Sequence, residues 1–286
     1  MKVRKAVIVA AGLGTRMLPA SKVIPKEILP VIDTPAIQLV VEEAVASGIE
    51  EIIVVVAPGR TLVLDHFKPA EELERHLEEK AKHDVLETVR RTNNPVRFTV
   101  AEQPKPLGLG HAVLQAREAV GDESFAVMLP DDIFDCPRPC LGQLIAAAEQ
   151  KDAPVVALLR VAHSEISKYG IVAAKTAGER LFELTGMVEK PSLDKAPSDL
   201  AIMGRYVLTP DIFELLASGK PGAGGEIQLT DGLMALAQKR KLYGYEFEGI
   251  RYDLGDRAGF IAAQVGFGLK RPDLAPRLRE YLKSLV

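Results

Sequence analysis

The amino-acid sequence predicts an α/β fold: a three-layer, mostly parallel mixed sheet with helices on both faces, plus a small β-rich subdomain. Three observations carry that prediction. Strand-length apolar runs such as Val7-Ile8-Val9 and Ile52-Ile53-Val54-Val55-Val56 lack polar alternation, as strands buried on both faces do. Helix-length segments alternate with them, the order that gives parallel pairing. Of the 286 residues, 47% are hydrophobic and 26% charged, enough to fill a large core.

Taken in order, strands are expected near 5–10, 51–56, 96–101, 124–129 and 154–160, and helices near 35–48, 109–119 and 139–150. Segment 70–91 reads as one amphipathic helix. Leu73, Leu77, Ala81, Val85 and Val89 recur every four residues, and Glu71/Arg75, Glu78/Lys82 and Glu87/Arg91 are spaced to pair. Such a helix is either a plain surface element or a packing element for a second subunit. After Tyr169 the pattern changes to short β-rich pieces, 170–174 and 181–184. The end, 257–284, reads as helical with a break marked by Pro272 and Pro276. We read residues 1–286 as a single domain with two halves, 1–165 and 166–256, and a C-terminal helical segment, 257–286.

Composition excludes several classes of function. The net charge of −3 gives no global attraction to nucleic acid or to an anionic membrane. No apolar stretch reaches the roughly 20 residues a membrane helix needs, and residues 1–5 read as a short basic lead into a strand, not a signal peptide. Cys136 and Cys140, the only cysteines, are too few for a zinc site and sit in a proline-rich segment. A reduced, cytoplasmic setting is expected.

The chemistry begins at the first loop. The run Val7 to Ala11 leads into Gly12-Leu13-Gly14-Thr15-Arg16-Met17-Leu18-Pro19, and Pro25-Lys26-Glu27 follows. Glycines there let backbone amides face a phosphate, and Arg16 and Lys26 offset its charge. A dinucleotide motif would need a third glycine where Met17 stands, and an acidic residue after the second strand, which ends in Ala57-Pro58-Gly59. A Walker loop would need Gly-Lys-Ser/Thr where Gly14-Thr15-Arg16 stands. The plain alternative is a tight strand-to-loop turn without a ligand.

With Ala10 and Ala11, this opening resembles the signature of the sugar-1-phosphate nucleotidylyltransferases. Further segments narrow the resemblance: Gly108-Leu109-Gly110-His111-Ala112-Val113, Leu129-Pro130-Asp131-Asp132, Tyr169-Gly170, Val188-Glu189-Lys190-Pro191, Gly204-Arg205-Tyr206 and Gly224-Gly225-Glu226-Ile227-Gln228-Leu229-Thr230-Asp231. In this order they resemble the bacterial UTP–glucose-1-phosphate uridylyltransferases over nearly the whole chain. The resemblance implies a Rossmann-like nucleotidyltransferase fold, with a nucleotide-binding first half and a sugar-binding second half. It implies UTP and glucose 1-phosphate as substrates, UDP-glucose and pyrophosphate as products, and a homodimer or homotetramer.

The resemblance also implies site roles. Ala10, Ala11, Gly12, Gly14, Thr15 and Glu27 would line the nucleotide, with Arg16 near its β- and γ-phosphates and Lys26 at the α-phosphate. Lys190 would hold the sugar phosphate, and Arg16, Lys26 and Lys190 are the catalytic set. Two unit charges about 4 Å apart repel by roughly 4 kcal/mol at an effective dielectric near 20, so two phosphates can meet only among cations. No covalent intermediate is needed, since positioning and charge stabilisation carry an in-line attack.

Mg²⁺ is the expected metal, held by one or two carboxylates with phosphates and water. Asp131 matches the family's metal position, and Asp253 in Tyr252-Asp253-Leu254-Gly255 is the second candidate; each alone reads equally as a turn or cap. For the base, Gln103 offers both a donor and an acceptor to a uracil edge, and Gly108 permits close approach. For the sugar phosphate and its ring, Asp132, Gly170, Glu189 and Gly204 are the candidates, Glu189-Lys190 reading otherwise as an exposed pair. His111 reads as a capping or packing histidine. The chain departs from the family pattern at Gly225, where relatives commonly carry an acidic residue. The same chemistry with dTTP, or a non-catalytic nucleotide-sugar sensor, are the competing functions. Retention of Arg16, Lys26 and Asp131 argues against the sensor.

Overall fold

The computed structural model describes residues 1–93, 95–219 and 225–285. In chain order its strands and helices are β1 (Lys5–Ala10), β2 (Pro30–Val31), β3 (Thr34–Pro35), α1 (Ala36–Ala46), β4 (Glu51–Val56), α2 (Leu62–Asp65), α3 (Glu71–Glu79), α4 (His83–Arg91), β5 (Arg97–Glu102), α5 (Leu109–Gln115), α6 (Arg117–Val120), β6 (Phe125–Met128), β7 (Asp132–Asp135), α7 (Cys140–Lys151) and β8 (Val155–Arg160). They continue with β9 (Gly170–Gly178), β10 (Leu181–Glu189), β11 (Leu200–Leu208), α8 (Asp211–Ser218), α9 (Leu229–Lys239), β12 (Tyr243–Glu246), β13 (Ile250–Asp253), α10 (Arg257–Gly268) and α11 (Ala275–Ser284).

One nine-stranded sheet runs β5-β4-β1-β6-β11-β8-β12-β10-β9. The β5-β4-β1-β6 part is parallel throughout, while β11 enters antiparallel between β6 and β8. The sheet is therefore mixed, and a strand from the second half of the chain sits among strands of the first. The period-2 geometry of β1 sends Ala6, Ile8 and Ala10 to one core and Val7 and Ala11 to the other. The first core is closed by α1 and α7, through Ile37, Val40, Leu141 and Leu144; the second by α5, α8 and α9, through Val113, Phe213 and Leu233. All six residues of β4 are buried, which is why its sequence shows no alternation.

The expected single helix over 70–91 is instead two helices. Ala81 takes φ 52°, a left-handed conformation that ends the helical run, so α3 and α4 fold back on each other. Leu77 and Leu86 are the buried residues, while Leu73 and Val85 stay exposed. Of the expected charge pairs only Glu87–Arg91 forms, at 2.6 Å; Arg90 reaches across to Glu74 at 3.0 Å. The expected break near the C-terminus lies between α10 and α11, and Pro276 falls in the first turn of α11, where its missing N–H costs nothing. The expected pieces at 170–174 and 181–184 extend into the β9–β10 hairpin.

The corner between β6 and β7 is braced by a fully buried cation. The Arg205 side chain on β11 has no solvent exposure and pairs with Glu43 of α1, Nη2 to Oε2 at 2.8 Å. It also donates to the carbonyls of Leu129, Gly204 and Asp132 at 2.9, 3.1 and 2.9 Å. Arg205→Met strands the Glu43 charge and takes a donor from three carbonyls, of which those of Leu129 and Gly204 keep a backbone partner. We expect it to lower unfolding free energy in urea by about 3–5 kcal/mol, with a smaller loss when Glu43→Leu is added; a loss within surface-substitution range would show that the pair does not brace the corner.

Candidate active site

The parallel strands β1, β4 and β6 all end on one side of the sheet, where open α/β folds bind ligands. The glycine loop leaves β1 there, with Ala10 and Ala11 still buried. Gly14 takes φ 65°, which turns the chain into the short helical turn Thr15–Met17. Ser21 fixes this turn by donating from Oγ to the Gly14 carbonyl at 2.7 Å. Gly12 passes close to Lys26: a Cβ at Gly12 would lie 3.8 Å from Lys26 Cε. Gly14, Thr15, Arg16, Lys26 and Gly255 line a cavity of about 110 Å³.

Two of the expected charges, Arg16 and Lys26, line this cavity, and both approach a third, Asp131. Lys26 Nζ sits 2.5 Å from Asp131 Oδ2, and Arg16 Nη2 lies 3.8 Å from the same oxygen. Burial alone would lift the Asp131 carboxyl, but Lys26 and Arg16 outweigh it and hold it below the ordinary carboxylate range. Burial likewise works against the Lys26 ammonium, and Asp131 and Glu27 outweigh that, holding it above its usual value. Asp253 joins the corner through the backbone, because Leu254 N–H donates to the Asp131 carbonyl at 2.7 Å. Gly255 makes room for this meeting: a Cβ there would come within 2.5 Å of Arg16 Nη2.

Arg251 completes the corner, and sequence reasoning missed it. In the antiparallel β13–β7 pair Asp253 faces Asp132, a like-charge pairing that destabilises a ladder. Arg251 lies on the same face of β13 and cancels that repulsion. Its Nε donates to Asp132 Oδ1 at 2.8 Å, its Nη2 contacts the same oxygen, and Nη2 lies 3.2 Å from Asp253 Oδ2. Burial raises the Asp132 carboxyl above its ordinary value despite Arg251.

The sugar-side candidates form a second group. Glu189 ends β10 opposite Gly170, and Thr230 Oγ1 donates to Glu189 Oε2 at 2.7 Å. Lys190 follows at φ 45°, a left-handed conformation a lysine rarely holds, with Nζ exposed and 3.6 Å from Glu189 Oε1. Its backbone N–H donates to the Tyr169 carbonyl at 3.0 Å, and Arg251 Nη1 donates to the Tyr169 hydroxyl at 2.9 Å. Lys190 thus joins the Asp131 corner through Tyr169 and Arg251, not by direct contact.

At two of the candidate glycines, side chains of the chain itself stand close to where a Cβ would be. At Gly204 the Asp132 carboxylate accepts from the backbone N–H at 2.8 Å. At Gly170 the Glu189 and Thr230 side chains come within 3.2 and 3.4 Å of where a Cβ would stand. Gly108, at φ 104°, packs against the Ile227 backbone, whose carbonyl accepts from Gly110 N–H at 2.8 Å. The Glu226–Asp231 segment therefore braces the loop after β5 through Ile227 and the sugar-side carboxylate through Thr230. Gln103 is buried, and its Nε2 lies 3.0 Å from both the Gly108 carbonyl and His111 Nδ1. Gly225 is exposed with open space at its Cβ position; Lys220 to Gly224, including Gly224 of the motif, lie outside the described residues.

A divalent cation fits the donor set only in part from the protein. Among the described residues no three His, Cys, Asp or Glu side chains cluster to hold a metal. Asp131 and Asp253 offer the one or two carboxylates that suit an ion completing its shell with phosphate oxygens and water.

A nucleotidyl transferase family profile matches residues 5–267. A Bacillus subtilis protein named UTP–glucose-1-phosphate uridylyltransferase is 45% identical over 285 residues, covering 100% of this chain and 98% of that protein. A Streptococcus pneumoniae protein of the same name is 47% identical, covering 99% and 96%. Two solved structures are 38% identical to the chain. A UTP-bound UGPase from Acinetobacter baumannii superposes with TM-score 0.92 over 100% of both chains. A UDP-glucose pyrophosphorylase complexed with UDP-glucose superposes with TM-score 0.87, over 94% of this chain and 100% of that one.

Beside Lys26, Glu27 is almost fully buried and its Oε1 has no hydrogen-bond partner. Burial, opposed by Lys26, pushes its carboxyl up from 4.5 to about 7. Between those values the folded chain keeps a proton that the unfolded chain has lost, so stability must fall as pH rises through that window, by about 3 kcal/mol. Glu27→Gln should remove this contribution. Unfolding in urea across pH 5 to 8 should show the variant gaining on the wild type as pH rises; a constant difference would contradict it.

Proposed function

This chain belongs to the nucleotidyl transferase family, and we propose that it makes UDP-glucose and pyrophosphate from UTP and glucose 1-phosphate. The observation that carries the reading is the convergence of Lys26 and Arg16 on Asp131 beneath the glycine loop. The names of the full-length relatives and the ligands of the matching structures support it.

In this reading a phosphate oxygen of glucose 1-phosphate attacks the α-phosphorus of UTP. The bond from that phosphorus to its bridging oxygen breaks, and pyrophosphate leaves with the electron pair. The attacking oxygen is already ionised, so no general base is required. Amides of the Gly12–Thr15 loop and the side chains of Arg16 and Lys26 offset the triphosphate charge. Lys190 holds the incoming sugar phosphate, and Glu189 accepts from sugar hydroxyls. Preorganised cations of this kind act where charge develops, and positioning supplies the rest. Mg²⁺, held by Asp131 and Asp253 with phosphate oxygens, would supply Lewis-acid polarisation of those oxygens.

The charge balance supports that requirement. Asp131, Asp132 and Asp253 are matched by Lys26, Arg16 and Arg251. A corner so nearly neutral has little positive charge left for a triphosphate, so further positive charge must arrive with the substrate. Self-association into a dimer or a pair of dimers, and a reduced cytoplasmic setting suited to the free thiols Cys136 and Cys140, belong to the same reading.

Pyrophosphate release with UTP, dTTP, CTP, ATP and GTP, with and without glucose 1-phosphate, tests the reading directly. UTP with glucose 1-phosphate should be the productive pair, and preference for a base other than uracil would reject it. Asp131→Asn should fold normally and lose more than about a hundredfold in turnover; an active variant would remove Asp131 from the metal site. Lys190→Ala should raise the KM for glucose 1-phosphate far more than that for UTP, and equal losses would contradict its role.

A further inference from the structure

We infer that His111, with the Gly108 carbonyl, locks the Gln103 carboxamide in one orientation, and that this lock makes the site select bases bearing a ring N–H. The inference rests on the UTP reading above, together with the place at the base that the family resemblance gives Gln103. It assigns a specificity-determining role to His111, for which the chemistry of the transfer step has no use.

Two neighbours fix which end of the Gln103 amide faces the protein. A backbone carbonyl can only accept, so the end of Gln103 lying 3.0 Å from the Gly108 oxygen must be the NH₂. The other hydrogen of that NH₂ points to His111 Nδ1, also at 3.0 Å. Nδ1 must then be the acceptor, which puts the ring proton on Nε2 and makes His111 a neutral imidazole in one defined tautomer. Gln115 Nε2 donates to the His111 carbonyl at 3.1 Å; its 3.3 Å approach to His111 Nε2 sets two donors face to face in this tautomer and is not a hydrogen bond. Both hydrogens of the Gln103 amide are thus spent inside the protein. Its Oε1 receives no hydrogen bond from any described residue.

The sequence allows Gln103 to give a donor and an acceptor to a base. The structure leaves only the acceptor. Uracil and thymine carry a hydrogen on N3 and can donate to Oε1. Cytosine carries a lone pair on N3, which would face the oxygen's lone pairs with nothing between them. Without His111 the NH₂ keeps only the Gly108 carbonyl, so the reversed amide, which suits cytosine, costs one lost hydrogen bond less than in the wild type. Because thymine shares the N3–H, this lock separates uracil and thymine from cytosine and leaves the choice between those two to the methyl group.

Kinetics and nitrogen NMR on the full chain test this. The wild type should prefer UTP over CTP by more than about a thousandfold in kcat/KM, as sites built around a hydrogen bond do. His111→Leu should cut that ratio by about tenfold or more. His111→Asn, whose Oδ1 can take the place of Nδ1 as acceptor, should restore most of it. In the wild type, His111 Nδ1 should resonate as an unprotonated ring nitrogen. A protonated Nδ1 at neutral pH would overturn the inference without any variant, even if His111→Leu failed to fold. So would a folded leucine variant that keeps the wild-type ratio, or an asparagine variant no better than leucine. A wild type that releases no pyrophosphate from UTP and glucose 1-phosphate would sink the parent reading; one that does, with the ratio unmoved in the variants, sinks this inference alone.

Discussion

The Arg205 guanidinium is the constraint on which the reaction corner depends. It is buried without solvent exposure, so its charge survives only because Glu43 and three carbonyls surround it. Those partners come from α1, from the turn after β6, from β11 itself and from the start of β7. Glu43 also accepts from Leu141 N–H at 2.9 Å, which ties in the first turn of α7. The Phe134 ring covers the guanidinium at 4.6 Å. A cation in such a place cannot move without exposing several unpaired polar groups, so the Leu129–Asp132 turn is held in one shape. That turn carries Asp131, and everything proposed for the phosphates depends on where Asp131 stands.

A second buried arginine extends the same logic outward. Arg205 binds the turn's carbonyls from below, whereas Arg251 binds its side chains from across the β7–β13 pair. Arg251 is needed because the turn holds two adjacent acids and the facing strand adds a third. Without an intervening cation, Asp132 would be the weak point, since burial already favours its neutral form. With Arg251 in place, Asp132 serves as an internal brace, tied also to Gly204 N–H, and Asp253 Oδ1 accepts from the N–H of Gly255, which lines the cavity, at 2.9 Å. The Tyr169 hydroxyl then passes the connection to the strand bearing Lys190. The two candidate phosphate sites are therefore joined by a chain of charged and polar contacts, a plain physical reason for residues from four separate segments to act as one site.

Most of the fold was legible in the sequence because burial on both faces leaves its mark as uninterrupted apolar runs. β1 and β4 match their expected spans residue for residue, and β5, β6 and β8 begin within a residue of theirs. The α3–α4 break was not legible. It depends on one backbone angle at Ala81, and a four-residue spacing of apolar side chains continues across such a break unchanged. That Arg16, Lys26, Asp131 and Asp253 stand near one another could be expected, because glycine loops and aspartates at strand ends are local signals. Arg251 could not: in Ile250-Arg251-Tyr252-Asp253 it reads as the solvent side of an alternating strand. Only the pairing of β13 with β7 turns that side toward Asp132. The glycines at 170 and 204 were legible as places of close approach, but not what approaches, because their neighbours come from distant strands.

Gln103 shows how a residue type leaves its chemistry open until its neighbours are known. Its side chain carries two hydrogens and an oxygen, so from sequence it can pair with nearly any base. Once the Gly108 carbonyl and His111 take the hydrogens, the same side chain offers only an acceptor. The loop that supplies that carbonyl is in turn held by Ile227, whose N–H donates to the Leu107 carbonyl at 2.8 Å. Thr230, three residues later, holds the carboxylate at the sugar end. One short stretch, from Ile227 into the first turn of α9, therefore fixes both the acceptor proposed for the base and the acceptor proposed for the sugar. A substitution that shifts Ile227 should disturb both ends together, whereas the Asp131 corner, braced separately by Arg205 and Arg251, has no hydrogen bond to that segment. The Gln103 and Glu189 acceptors thus share one anchor, and the Asp131 corner has its own, with Tyr169 and Arg251 as the link between them.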